Sequence, residues 1–232
     1  MAPDGEERFA AYIAHELRTP LATQRALLEL TLTDPLADTA SWRDVAKDVL
    51  DACLQQERLL EACLALARSR RGLTRHDRID LAAIASEALR SHDRSGLESV
   101  VALEPAGVDG DPALVERLAS NLVSNAIRHN HRGGRIEVAT RTRAGHAFLV
   151  VANTGPLIPA AELHRLFQPF HRLGTPAQLS SDGIGLGLPI VQAIACAHNA
   201  NLTAEALSGG GLEIAVRFPA TSHPTSLAGL LP

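Results

Sequence analysis

The sequence is nearly devoid of lysine: Lys47 is the only one among 232 residues, and arginine supplies the remaining positive charge. A phosphate loop of the form Gly-x-x-x-x-Gly-Lys is therefore excluded, because Lys47 does not follow a glycine. The formal net charge of −4 argues against a broad basic surface for nucleic acid. Any nucleotide site must follow another design, and we expect no nucleic-acid partner.

The chain is also poor in cysteine and lacks a long apolar run. Its three cysteines, Cys53, Cys63 and Cys196, form no Cys-x-x-Cys pair, so we interpret them as small core residues in a reducing compartment. No apolar run approaches the roughly 18 residues of a membrane span, and no signal-peptide pattern follows Met1. These absences predict a soluble, cytoplasmic chain.

The first 70 residues have the periodicity of two helices. Apolar residues recur at helical spacing from Phe9 to Leu32, and the Thr-Asp-Pro segment at 33–35 interrupts the pattern. A second series, with alternating steps of three and four residues, runs from Trp42 to Leu66. We expect a hairpin over residues 1–70 that pairs with a second copy into a four-helix bundle. Packing of the seam against the same chain is the alternative.

The pattern changes after residue 70. We interpret the charged, aperiodic residues 71–78 as a hinge linker, and residues 220–232 as a disordered tail. Between them, residues 79–219 mix helical and strand-like periodicity, which predicts an α/β sandwich with helices on one face of a sheet. The helical patterns cover 81–90, 112–129 and 186–198, and the strand-like runs cover 99–103, 135–142, 146–152, 201–207 and 211–218.

The first candidate site is the segment HELRTPL at residues 15–21. On a helix, His15 points away from the apolar stripe, and an exposed histidine beside Glu16 can act as a nucleophile with its proton acceptor at hand. The residue four positions after His15 is Thr19 rather than a second histidine, which excludes the zinc-protease motif. Taken alone, the segment favours a solvated surface histidine.

The second candidate is NLVSNAIRH at residues 121–129. Asn121, Asn125 and His129 recur every four residues and so share a helix face. Amide oxygens are suitable magnesium ligands, and Arg128 or His129 can reach a phosphate. A purely structural polar helix face is the alternative.

Two further segments have the composition of a nucleotide site. Asn153 follows a strand and precedes Gly155, and its amide can both accept from and donate to an adenine base. The segment DGIGLGL at residues 182–188 precedes a helix, and its glycines allow close approach of backbone to phosphate. Between these segments lie residues 166–173 and then a polar run to Ser181, which has the composition of a mobile lid anchored by Phe167 and Phe170.

The order and spacing of these segments resemble the catalytic core of a bacterial sensor histidine kinase. That family names an H box, an N box, a G1 box, an F box and a G2 box, and all five have counterparts within residues 6–218. In chain order the counterparts are residues 15–21, 121–129, 151–158, 166–173 and 182–188. The resemblance implies an α+β architecture, with a dimeric antiparallel helical hairpin followed by a Bergerat-type ATP-binding sandwich.

The resemblance also implies ATP and magnesium as ligands and a role for each matching residue. His15 would accept the phosphoryl group, Glu16 would be its general base, and Thr19 would position water for dephosphorylation of the partner. Asn125 would ligate magnesium. The other nucleotide-binding positions would be Asn121, Arg128, His129, Asn153, Gly155, Gly183, Gly185 and Gly187.

The partners implied are a second copy of the chain and the receiver domain of a response regulator, whose aspartate would take the phosphoryl group. Contact with a membrane would come only through a sensor portion that this chain does not contain. A catalytically lapsed ATP-binding scaffold and a phosphatase-dominated relative are the alternatives. Chaperones, topoisomerases and mismatch-repair ATPases share the ATP fold but would leave residues 9–21 unexplained.

Two positions depart from the family pattern. Asn153 stands where the family usually carries aspartate, and Leu157 stands where it usually carries a second glycine. Asn153 keeps an acceptor oxygen but loses the charge, so we expect adenine binding to be retained and weakened. Leu157 makes the backbone stiffer at the mouth of the site.

Overall fold

The computed structural model describes residues 4–70, 76–169, 171 and 185–219. The chain divides into two compact units, residues 1–64 and residues 65–232. Residues 71–75 of the predicted linker and the predicted tail at 220–232 lie outside the described residues.

The first unit is built from two helices, α1 (Asp4–Thr33) and α2 (Thr39–Arg70). Helix α1 ends at the predicted break, and carboxylates organise the turn that follows. The Asp34 carboxylate accepts from the Leu36 N–H at 2.9 Å, and the Asp38 carboxylate accepts from the Ser41 N–H at 2.8 Å. The second bond satisfies one of the N–H groups that the first turn of α2 leaves without a helical partner.

The hairpin buries few of its described side chains. Among them only Gln24 is buried, with 8% of its surface exposed, and its Nε2 donates to the Val49 carbonyl at 3.4 Å. This hydrogen bond joins α1 to α2. The large apolar side chains that remain exposed in the single chain are Leu21, Leu28, Leu30, Leu32, Leu36, Leu50 and Leu60.

The second unit contains a five-stranded sheet with the strand order β2-β4-β5-β7-β6. Strands β2 and β4 run parallel, and the other neighbours are antiparallel. A separate two-stranded sheet pairs β1 with β3. The strands are β1 (Asp77–Asp80), β2 (Glu98–Leu103), β3 (Gly107–Gly110), β4 (Arg135–Arg143), β5 (His146–Asn153), β6 (Asn201–Ala206) and β7 (Leu212–Phe218).

Helices cover one face of this sheet. Alternate residues of β4, such as Ile136 and Val138, are buried, as are Leu118 and Leu122 of α4. The helices are α3 (Leu81–Arg90), α4 (Pro112–Arg128) and α5 (Gly187–Ala197), with a 3₁₀ helix at Ala160–Phe167. The predicted α+β class, a helical hairpin followed by an α/β sandwich, is confirmed.

Strands β1 and β3 were not among the predicted elements. β1 begins at Asp77, inside residues 71–78, which the sequence analysis assigns to a linker. The strand has only four residues, Asp-Arg-Ile-Asp, and a single apolar side chain gives no alternating pattern to recognise. Its pairing with β3 supplies the order that the local sequence does not indicate.

Within the described part of the chain, no helix combines the length and the apolarity that crossing a membrane requires.

Candidate functional site

Helix α4 carries four of the predicted site residues. Its first turn is capped by Asp111, whose carboxylate accepts from the Ala113 N–H at 3.0 Å, and Pro112 occupies the first helical position. The core stripe of α4 faces the sheet, which leaves Asn121 and Asn125 half-buried beside it. Arg128 and His129, the last helical residue and the cap, are exposed.

Asn153 is the last residue of β5 and is only 5% exposed. Its Nδ2 donates to the Thr154 carbonyl at 2.7 Å. The reversed amide would bring two acceptor oxygens together at this distance, so the bond fixes which side of the amide is the oxygen. Asn153 therefore keeps Oδ1 as an acceptor, while one hydrogen of Nδ2 is used within the chain.

Gly155 brings the end of β5 against the end of α4. A Cβ added at Gly155 would lie 2.5 Å from the His129 carbonyl oxygen, closer than a real side chain allows. The two backbones can approach this closely only because the residue is glycine. The structure thus brings together Gly155 and Asn153 with His129, three of the predicted site residues.

The N-terminus of α5 also reaches this region. Gly187 is the first residue of the helix, and a Cβ added there would lie 3.7 Å from the Oδ1 of Asn121. Gly185 precedes it with a φ of 71°, a conformation that favours glycine. The N-cap residue, Leu186, makes no side-chain hydrogen bond to the first turn of α5, and the N–H groups at a helix N-terminus favour anions. Gly183 lies outside the described residues.

A glycine turn at residues 209–211, which was not among the predicted site segments, packs against the backbone of Asn153 and Gly155. Gly210 and Gly211 have φ values of 88° and 108°, and a Cβ at either would overlap the backbone of Gly155 or Asn153. The Gly211 N–H donates to the Pro156 carbonyl at 3.0 Å. The three consecutive glycines at 209–211 are the signal that could have identified it.

The counterpart of the F box begins in the 3₁₀ helix. Glu162 accepts from Arg165 at 2.8 Å and contacts the Nε2 of His171 at 3.3 Å. The hydrogen bond from Arg165 holds the pKa of the Glu162 carboxyl below its usual range. The remaining predicted lid residues, Phe170 and 172–181, lie outside the described residues.

The predicted phosphoacceptor segment lies in the first unit, on α1. His15 and Glu16 are helical, and their side chains are outside what the structure describes. Thr19 is exposed one turn later, and Pro20 follows it inside the helix. Since Pro20 has no N–H, the carbonyl of Glu16 loses its helical partner beside His15.

Among the described residues, no group of three or more His, Cys, Asp or Glu side chains is placed to hold a metal ion. Amide oxygens are suitable ligands for a hard cation such as magnesium. Asn121 and Asn125 present such oxygens on the side of α4 that is not its core stripe.

The comparisons with known proteins agree with this arrangement. Residues 110–222 match the family described as "Histidine kinase-, DNA gyrase B-, and HSP90-like ATPase", which defines the class of the second unit. Residues 6–72 match the "His Kinase A (phospho-acceptor) domain". The chain belongs to the sensor histidine kinase family.

Individual relatives support this membership. The chain is 42% identical to the sensor protein CutS of Streptomyces coelicolor over 92% of its own length and 53% of that protein. It is 31% identical to a solved mycobacterial sensor histidine kinase MprB, with a TM-score of 0.55, over 62% of this chain and 97% of that structure. The Acinetobacter baumannii histidine kinase AdeS, 22% identical, shares the fold over 89% of this chain and 98% of its own, with a TM-score of 0.67. The chain spans about half the length of the curated relative CutS.

Proposed function

We propose that this chain is the core of a protein-histidine kinase that transfers the γ-phosphoryl group of ATP to His15 and then to an aspartate of a response-regulator receiver domain. The observation that carries the proposal is that α4 and its cap contact both predicted parts of the nucleotide site. Asn121 lies beside Gly187 at the N-terminus of α5, and the His129 carbonyl lies against Gly155, two residues after Asn153. The His Kinase A match over the hairpin supplies the acceptor.

In the second unit, the acceptor oxygen of Asn153 would take a hydrogen bond from the adenine amino group. The first turn of α5, with Gly185 and Gly187, would receive the phosphates. Arg128 and His129 would add donors at the far end of α4. Gly183 joins this set as a prediction from the sequence.

Magnesium fits this site through the amide oxygens of Asn125 and, beside it, Asn121, because hard cations prefer oxygen ligands. When bound, the ion would neutralise charge on the phosphates of the nucleotide. The chain itself orients the nucleotide and provides the attacking imidazole, so positioning supplies most of the catalysis.

In the first unit, neutral His15 would attack in line while Glu16 takes up or orients the ring proton. Thr19, exposed one turn further along α1, would position water for removal of the phosphoryl group from the regulator. We therefore extend the proposal to a phosphatase activity towards the same partner.

We further propose that the chain acts as a homodimer. The exposed leucines of α1 and α2 leave an apolar seam that a second hairpin would cover as a four-helix bundle. We place these activities in the cytoplasm, with the segment that precedes β1 as the hinge between the units.

The experiment is incubation of the purified chain with γ-labelled ATP and magnesium, followed by a test of the label for acid lability. We expect an acid-labile label in the wild type, none in His15→Gln, and an unchanged label in His146→Gln, a half-buried histidine at the start of β5. A label that survives His15→Gln would refute the assignment of the acceptor. Binding of ATP without any label would instead favour the scaffold or phosphatase alternative.

A further inference from the structure

The hydroxyl of Thr154 lies at the centre of a closed hydrogen-bond network. It donates to the Oδ1 of Asn130 at 2.7 Å and accepts from the backbone N–H of Arg135 at 2.8 Å. Asn130 completes the circuit, because its Nδ2 donates to the Arg135 carbonyl at 3.0 Å. The network ties the segment after α4 to the start of β4 and the end of β5.

The Thr154 hydroxyl also lies 3.4 Å from the Arg135 carbonyl, a longer contact than its bond to Asn130. The Oδ1 of Asn130 also accepts from the His131 N–H at 3.0 Å, so a reversed amide would place a donor against a donor. The backbone N–H of Thr154 donates to the Arg135 carbonyl at 3.0 Å. A Cβ added at Gly134 would overlap both Asn130 and Thr154, which shows that the network is closely packed.

The network is adjacent in sequence to both halves of the proposed nucleotide site. Thr154 lies between Asn153 and Gly155, and its carbonyl holds the amide of Asn153. Asn130 follows His129, whose carbonyl meets the backbone of Gly155. The sequence analysis gives neither Thr154 nor Asn130 a role, because the partners are 24 positions apart in the chain.

We propose that Thr154 and Asn130 are positioning residues. They hold the end of β5, which carries Asn153, against the end of α4, which carries Arg128 and His129. The proposal rests on the proposed function, since it names what sets the geometry of that site. A clamp of this kind acts through Asn153 and Gly155 and needs no contact of its own with the nucleotide. Its loss should weaken binding of ATP and leave the chemistry at His15 intact once ATP is saturating.

The first test is the dissociation constant for ATP of the full chain, measured by titration calorimetry. Thr154→Val keeps the shape of the side chain but removes the bond to the Oδ1 of Asn130 and leaves the Arg135 N–H without its acceptor. We therefore expect affinity to fall roughly tenfold or more. Thr154→Ser restores the hydroxyl and should stay within about threefold of the wild type. In the labelling assay, the KM for ATP should rise in Thr154→Val while the rate at saturating ATP is largely kept.

The matched control is Thr140→Val. Thr140 is a buried threonine of β4 whose hydroxyl donates to the Glu104 carbonyl at 2.7 Å, away from Asn153 and Gly155. This variant should lower the melting temperature and leave the affinity for ATP unchanged. An equal loss of affinity in Thr140→Val and Thr154→Val would show that the hydroxyl matters only for stability, and would overturn the clamp.

Asn130→Ala provides an independent variant should Thr154→Val fail to fold. It removes the tie to the end of α4 but leaves the bond between Thr154 and Arg135, so it should also weaken ATP binding. If the two residues act as one clamp, their effects should not add. The double variant Thr154→Val/Asn130→Ala should then bind ATP with the same affinity as whichever single variant binds it less tightly. If the wild type binds ATP and Asn130→Ala binds it with the same affinity, the clamp is refuted and the proposed function is not. Absence of ATP binding by the wild type refutes the proposed function as well.

Discussion

The two units differ most in what they bury. Among the described residues of the second unit, 31 hydrophobic side chains between Ile79 and Phe218 are buried, including Leu118 and Phe218 at 1% exposure or less. Among the described side chains of the hairpin, the single buried one is polar, Gln24, while Leu28 and Leu32 are 37% and 70% exposed. The second unit thus has an apolar core of its own, whereas the described side chains of the hairpin form none within the single chain.

This difference predicts how stability is distributed. A unit with its own core unfolds with a free energy that does not depend on protein concentration, whereas a dimeric bundle is stabilised by mass action. The buried amide of Gln24, bonded across to Val49, is also of the kind that fixes the register of a bundle. Substitution of buried and exposed leucines in each unit tests whether the stability of the two units differs in this way.

The largest effect is expected in the core of the second unit. Leu118→Ala removes a fully buried side chain of α4 and should lower the free energy of unfolding of that unit by about 2–5 kcal/mol. Leu157→Ala, at a position 75% exposed, should change it by less than about 0.5 kcal/mol. Denaturant unfolding followed by circular dichroism measures both. Equal effects would contradict the assignment of the core.

A smaller effect is expected for a charge in the proposed dimer seam. Leu28→Glu places a carboxylate among apolar groups of the partner helices and should weaken the dimer by about 2 kcal/mol, or roughly 30-fold. Sedimentation equilibrium gives the dissociation constant. Leu36→Glu is the control, because Leu36 lies in the turn between α1 and α2 and is 87% exposed. A Leu28→Glu chain that remains as dimeric as Leu36→Glu would argue against the bundle.

The smallest effect is a pH dependence confined to the second unit. His198 is 3% exposed, its Nδ1 donates to the Ile194 carbonyl at 2.8 Å, and its Nε2 accepts from the Asp111 N–H at 3.1 Å. Burial lowers the pKa of His198 from its usual value of 6.5, against the attraction of the Asp111 carboxylate and together with the repulsion of His76. Folding therefore favours the neutral form of the His198 ring.

The sign follows from which state binds the proton more readily. Above pH 6.5 the ring is neutral in both states, and its contribution to stability is fully present. As the pH falls below this value, the unfolded chain takes up a proton first, so the second unit loses stability. His198→Gln should flatten this dependence of the melting temperature between pH 7.5 and 5, and His146→Gln should not. Identical slopes in the wild type and His198→Gln would exclude the effect.

Much of the fold could be predicted from periodicity alone. The pattern of α4 was predicted over residues 112–129, and the helix spans Pro112–Arg128, because Leu114, Leu118 and Leu122 form an unbroken stripe. The five strands of the main sheet were also predicted, since each has several alternating apolar residues. β1 and β3 escaped prediction because each has only four residues.

The sequence predicts site residues whose type alone suggests a chemical role, and it does not predict the tertiary contacts between them. Asn153 and Gly155 were identified by residue type, but the Gly155 contact with the His129 carbonyl depends on how β5 meets α4. The network of Thr154 and Asn130 is likewise tertiary. The roles of the predicted site residues and the domain boundaries remain predictions.

The central claim is that each unit supplies a separate half of the reaction, and the most direct test is ATP binding by His15→Gln, measured by titration calorimetry in parallel with labelling. The account predicts the dissociation constant of the wild type, within about twofold, and no acid-labile label, because the nucleotide site belongs to the second unit alone. A His15→Gln chain that no longer binds ATP, or that still acquires an acid-labile label, would contradict it.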